Sequence, residues 1–565
     1  MKHWKRILSL SLALTMMIGL FGIAPVTANA EQASVTYAVY SWNDATNTLS
    51  HTNKTVTDYT EVTEAYLEAN DYTLAGGTSA EDSNVFVVTK NMTLNTRIKI
   101  TKNTYVDLVI PKGVTLTAKQ GISCSYGKKG GFASLRIFGA GKIDAGNKKA
   151  CASIGGDSGE VNGPLEFHGP EVEANGYTGG AGIGGGKSKM DADDDTYIKI
   201  FTGKINSFGR GGGAGIGGGD NQIGAKTYIY SGTVLASSRI YGGAGIGGGK
   251  DEGTRGIRIY GGDITGNGSD GGAGIGAGKD SGTLGDGICI YGGTVRATGG
   301  INGGAGIGTG SGANMNDTIY IGGEKTKVNT KGGIHGAGIG AGNGDTEFFG
   351  TEGDMKGTIT IDCGNRSDIV AYGGYESMQN QEKHDYPGYY GAAAIGAGFA
   401  GNMTGKVYIK GGNITLYSGY NAAGIGGGQE SGGTFQGGEG GNVYVSGGKM
   451  TIWLRNNNDV NYRGNEAIGS GANDSKSGSV FISHDNNGAE SYMRVRYKDN
   501  NKWVAVNANK RTSKLHSNNS VQVEPCNHTD GNGVSGLTYT INSDDTHTVK
   551  GILFPVTTTP LITIR

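Results

Sequence analysis

An isoleucine set among glycines and alanines returns ten times along the chain, at Ile154, Ile183, Ile216, Ile246, Ile275, Ile307, Ile339, Ile395, Ile425 and Ile468. Seven of the nine intervals lie between 29 and 33 residues, and the two longer ones mark insertions. One copy, "GGAGIGGGK" at Gly179–Lys187, has the outline of a phosphate loop, with Gly180, Gly182 and Gly185 as G-x-G-x-x-G. A cofactor loop occurs once, however, and the first glycine of a Walker loop falls here on Ala181. A phrase that recurs every thirty residues is architecture, so the chain is read as a solenoid with no nucleotide site.

Between the phrases lies a second recurring piece, as in "LRIFGAGKIDA" (Leu135–Ala145), "IRIYGGDIT" (Ile257–Thr265) and "VYIKGGNIT" (Val407–Thr415). Apolar residues alternate with variable ones, β-branched residues are frequent, and a small-residue break divides each piece into strand, turn and strand. With a third short strand from the phrase, each thirty residues form one coil of a parallel β-helix whose like side chains stack into ladders. A propeller blade needs about 40 residues and four antiparallel strands. Calcium-binding nonapeptide coils would need an aspartate every nine residues, which is absent. The fold class is therefore all-β: a right-handed parallel β-helix with an N-terminal cap and a small C-terminal β region.

Residues 1–30 carry Lys2, Lys5 and Arg6, an apolar run from Ile7 to Ile23, and Ala28-Asn29-Ala30, which together read as a secretory signal. Residues 31–84, with the short helix-like "VTEAYLEAN", are expected to cap the solenoid. Residues 85–485 form the β-helix, and residues 486–565 a β-rich tail. No later stretch is apolar enough to span a membrane, so the mature protein is expected outside the cell. The 110 glycines lack a collagen period, and a net charge of −1 argues against a nucleic-acid partner. Cys124 and Cys151 stand about one repeat apart, either as a bridge between coils or as buried free thiols.

The run "VFVVTKNMTLNTRIKITKNTYVDLVIPKGVTLTAKQGI" (Val85–Ile122), with the Gly-Ala-Gly-Ile-Gly phrases after it, resembles the Gly-rich β-helix modules of secreted and cell-surface proteins of Gram-positive bacteria. The resemblance covers residues 85–485 and implies a pectate-lyase-like helix outside the cell or on its wall, but no particular activity. The tail "CNHTDG" with "LTYTINSDDTHTVKG" resembles a Cys-x-His repeat of such proteins, yet the completing Cys-x-x-Cys is replaced by Gly551-Ile552-Leu553. Cys526, His528 and His547 alone do not close a zinc tetrahedron.

Three places could carry function. Inward isoleucines leave a column of Phe138, Phe201, Tyr230, Tyr260 and Tyr291 facing outward, beside Arg136, Lys199, Tyr228, Arg258 and Cys289. Such a row is either a stabilising ladder under a loop or a platform on which sugar rings stack, with Tyr230, Tyr260 and Tyr291 as binding residues. The insertion between Ile339 and Ile395 gathers Tyr375, Glu376, His384, Asp385, Tyr386, Tyr389 and Tyr390 on one stretch, as a binding or catalytic loop does. Finally Asp191, Asp193, Asp194 and Asp195, with Asp220 on the next coil, form an acidic turn that is either solvated or able to hold Ca²⁺. No other cofactor is called for. Two functions follow: a secreted or surface protein that binds polysaccharide, host or cell-wall glycans, or acts as an adhesin; or an extracellular glycoside hydrolase or polysaccharide lyase. In the second, Asp385, Asp194, Asp220, Glu376 and His384 are the candidate catalytic groups.

Overall fold

The computed structural model describes residues 34–126, 131–146, 149–189, 195–344, 353–375, 391–429, 438–445, 448–455 and 468–471, together with the backbone of strands Ser479–Ser483, Ser491–Tyr497, Trp503–Ala505, Ser520–Asn527 and Gly551–Phe554. Parallel strands stack into a β-helix with three faces.

The first face is a column of thirteen short strands, beginning at Thr73–Leu74 and ending at Ile468–Gly469. Each repeat phrase supplies two residues to it, and the isoleucines stand in register from Ile154 to Ile468. The second face carries the "IRI" strands and the third the strands after the Gly-Gly break, for example Ile257–Ile259 and Asp263–Asn267. In Leu165–Asn175 and Tyr197–Gly209 the break is bridged, and one long strand serves both faces.

One apolar core runs from Val62 to Ile468. A coil such as the one built from Ile183, Ile198, Ile200 and Ile205 contributes side chains that are all fully buried. Where a threonine replaces an inward isoleucine, at Thr227, its hydroxyl donates to the Ala225 carbonyl, so the buried polar atom is satisfied.

The glycine after each isoleucine is required twice over. Gly217 has φ +132°, and a Cβ there would sit 2.0 Å from the carbonyl oxygen of Gly247 on the next coil. The N–H groups that a phosphate loop would turn toward a ligand are used within the stack: Gly182 donates to Ala214, Ile183 to Gly215 and Gly185 to Gly217. The phrase closes a loop of its own as well, with the Ala214 N–H on the Gly218 carbonyl at 2.8 Å.

Residues 34–84 fall into two parts. Thr60–Glu61, the helix Glu64–Ala69 and Thr73–Leu74 complete the first coil, with Val62, Leu67 and Leu74 in the core and Thr63 capping the helix through its hydroxyl on the Tyr66 N–H. The preceding strands β1 (Val35–Asn43) and β2 (Thr48–Val56) instead form an antiparallel hairpin laid along the second face. At the far end, Ser520–Asn527 pairs antiparallel with Met450–Trp453 and Ser491–Tyr497 pairs with Ser520–Asn527, which occupies a strand edge that would otherwise invite another chain. Cys124, Cys151 and Cys363 are buried, Cys289 is half-buried, and none of the four is in a disulfide, so the Cys124–Cys151 bridge is not formed.

Gly217→Ala should cost about 3 kcal/mol, from steric overlap and left-handed strain together. Gly113→Ala, at φ +85° with nothing within 4 Å of its Cβ, should cost about 1 kcal/mol from strain alone. Urea denaturation followed by circular dichroism compares the two.

Candidate ligand-binding surface

Because each coil repeats the same strand, the first outward residue after the inward pair falls above its counterpart on the coil below. On the second face this builds a row of rings: Phe138, His168, Phe201, Tyr230, Tyr260 and Tyr291, with successive centroids 4.5, 4.4, 4.9, 5.1 and 5.1 Å apart and planes within 20°. The sequence pattern missed His168, though "LEFHGPEVEA" is the same strand, break and strand with histidine in the aromatic position. Tyr320 comes from the neighbouring outward column and still joins the row, 5.5 Å from Tyr291, by lying over Gly322. A Cβ on Gly322 would meet the Tyr320 ring at 2.5–2.7 Å, so glycine makes the seventh ring's place.

Beside the rings runs a charged column. Asp107, Arg136, Glu166 and Lys199 are register partners on consecutive coils, so unlike charges alternate along it. Arg136 grips buried Asp107 with Nε at 2.7 Å and Nη2 at 3.0 Å. Glu166 accepts from the Tyr197 hydroxyl at 3.0 Å, contacts His168 Nε2 at 3.2 Å, and faces Lys199 at 3.9 Å. Burial alone would raise the Glu166 pKa, but the hydrogen bond from His168, with Lys199 and the Tyr197 hydroxyl, outweighs it and holds the carboxyl below its usual range.

The hairpin covers most of this surface. Tyr37 packs on Phe138 at 4.9 Å, and Trp42 lies against both Tyr230 (5.1 Å) and Tyr260 (4.7 Å). The Tyr40 N–H donates to His168 Nδ1 at 3.1 Å, which puts the ring proton on Nε2, toward Glu166. Lys54 of β2 reaches to within 3.9 Å of Asp107. Tyr230 and Tyr260 are thus partly covered, while Tyr291, 41 % exposed, lies beyond Trp42 and the hairpin turn. Burial, then hydrogen bonding with Cys289, pushes the Tyr291 phenol up to about 12, so at neutral pH it remains a hydrogen-bond donor. The uncovered end is a short aromatic cleft of Trp42, Tyr260, Tyr291 and Tyr320, with Arg258 on the adjoining column.

Few of the other residues singled out from the sequence fall among the described residues. Glu376, His384, Asp385, Tyr386, Tyr389 and Tyr390 lie outside the described residues, as do Asp191, Asp193 and Asp194. Tyr375 bridges to Gly391, so the two ends of that insertion meet, and its ring stands edge-on to Tyr420 at 5.3 Å. Asp195 is in an exposed turn. Asp220 is buried and paired with Lys187 at 2.7 Å, a structural ion pair at a coil corner. Among the described residues no three His, Cys, Asp or Glu side chains are grouped to hold a metal ion. No helix among them is long and apolar enough to cross a membrane.

Comparison of the chain with protein-family models, with curated proteins and with solved structures finds no match.

Because its folded pKa is depressed, Glu166 contributes stability that is full above its unfolded value of about 4.3 and is lost as the pH falls through the folded value. Glu166→Gln should therefore be less stable than the parent at pH 7, and the two stabilities should converge as the pH falls through the folded value.

Proposed function

We propose that this is a secreted or surface-associated β-helix protein that binds carbohydrate, by stacking sugar rings on the open end of its aromatic row. The observation that carries this reading is the exposure of Tyr291 next to Trp42, Tyr260 and Tyr320 at the point where the hairpin stops. An aromatic face supplies large contact area at low entropic cost, and the phenol hydroxyls supply donors for sugar hydroxyls. The covered rings hold the open ones in place, so the cleft is set before ligand arrives.

The secretory signal at residues 1–30 and the resemblance to Gly-rich modules of Gram-positive surface proteins support a location outside the cell, where host, plant and cell-wall glycans are the available polymers. Near-uniform repetition favours binding or adhesion over chemistry, because repeated coils multiply weak contacts.

The test is retention of the chain on immobilised polysaccharides, read together with release of reducing or unsaturated ends. Retention without product is expected, weakened about tenfold by Tyr291→Ala and preserved by Tyr291→Phe, which keeps the ring. Product release would replace this reading with the hydrolase or lyase one. Retention unchanged in Tyr291→Ala would remove the cleft from it.

A further inference from the structure

We infer that a second site, at the corner that leads into the Ile-Gly face, binds a terminal acidic N-acylated sugar of the sialic acid type. Just before each phrase the chain makes a tight turn, seen at Tyr177–Gly180 and Arg210–Gly213, where the fourth N–H donates to the first carbonyl. The two middle residues are left-handed: Thr178 and Gly179, Gly211 and Gly212, Tyr241 and Gly242, Asp270 and Gly271. Such a turn favours glycine, asparagine or aspartate at its first middle position. Gly211 and Asp270 obey. Thr178 and Tyr241 do not, and Tyr241 is 61 % exposed, so the backbone strain of placing a bulky residue there is not offset by burial. Ile240 beside it is 43 % exposed and Tyr177, two coils earlier, also 43 %.

These side chains surround a groove of about 580 Å³. On successive coils the turn begins with Tyr177, Arg210 and Ile240, and its first middle residue is Thr178, Gly211 and Tyr241, so the two tyrosines line the groove from adjacent turn positions two coils apart, with the bare Gly211 on the coil between. Inside the groove the charges are unequal in availability. Lys187 is paired with Asp220 at 2.7 Å and Lys250 with Asp251 at 2.7 Å. The Arg210 guanidinium lies 6.0 Å from the Tyr177 ring centroid and has no carboxylate partner among the described residues. An arginine fork held on an aromatic face is suited to a carboxylate. An exposed isoleucine and tyrosine beside it suit a methyl group, and the paired Lys and Asp side chains suit hydroxyls. A sugar with a carboxylate, an N-acetyl methyl and a polyol tail supplies all three. A plain uronate lacks the apolar part, and a neutral sugar lacks the charge.

The experiment titrates the full chain with 3′-sialyllactose, with lactose and with trigalacturonate, by calorimetry at low ionic strength. Sialyllactose should bind with a Kd below about 1 mM and at least tenfold more tightly than the other two. Arg210→Gln should weaken it about tenfold, and Tyr241→Asn by a similar factor without lowering the unfolding temperature, because asparagine suits the left-handed turn. Tyr291→Ala should leave it unchanged, which separates this groove from the aromatic cleft. The inference is overturned if sialyllactose does not bind, if trigalacturonate binds as tightly, or if Arg210→Gln and Tyr241→Asn bind like the parent.

Discussion

The architecture depends on one close approach, that of each Ile-Gly glycine to the carbonyl of the glycine one coil on. At 1.8–2.3 Å from where a Cβ would be, from Gly155 to Gly426, there is no room for any side chain, and every one of these glycines has a φ between 132° and 145°. The turn is tight because nothing projects from it, and the isoleucine before it is driven fully inward. Stability in such an array is a sum over coils and the interfaces between them. A repeated contact of this kind therefore sets the spacing at which everything outward is displayed.

What is displayed differs between faces. On the second face, equal spacing converts single outward residues into a row of seven rings and an alternating column of charges. Neither would be stable as an isolated exposed feature. The hairpin removes five of the rings partly from water and supplies partners to both columns, Tyr37 and Trp42 to the rings and Lys54 to Asp107. At the corner before the Ile-Gly face, the same periodicity places Tyr177 and Arg210 at equivalent positions on neighbouring coils and Tyr241 on the next, at a left-handed position where turn geometry alone would have chosen a smaller residue.

The solenoid was legible because its signals are local and repeated: Ile257 and Ile259 alternate around Arg258, and Gly247 follows Ile246 in the phrase. Insertions were legible as breaks in spacing. The ladder from Phe138 to Tyr291 could be read by stacking equivalent positions, except at His168, where a different residue type interrupts the aromatic pattern, and at Tyr320, which joins from another column because Gly322 leaves space. The hairpin's destination was not legible, since β1 and β2 carry a strand pattern but nothing that names their partner. The corner groove was missed for a similar reason: Tyr177 and Tyr241 are 64 positions apart and line one groove only through coil geometry.

Trp42 and Tyr260 touch although 218 positions separate them in the chain. Coils can add one after another, each using its predecessor as a template, but the hairpin has no complete seat until the coil carrying Tyr260 has formed. The hairpin, made before every coil, is consequently among the last elements to dock. Until then Tyr37 and Trp42 on one side, and Phe138 and Phe201 on the other, are exposed to solvent and to other chains. Growth of the solenoid from one end and closure of its aromatic face are therefore separate events in time, and the interval between them is when the chain is most open to mispairing.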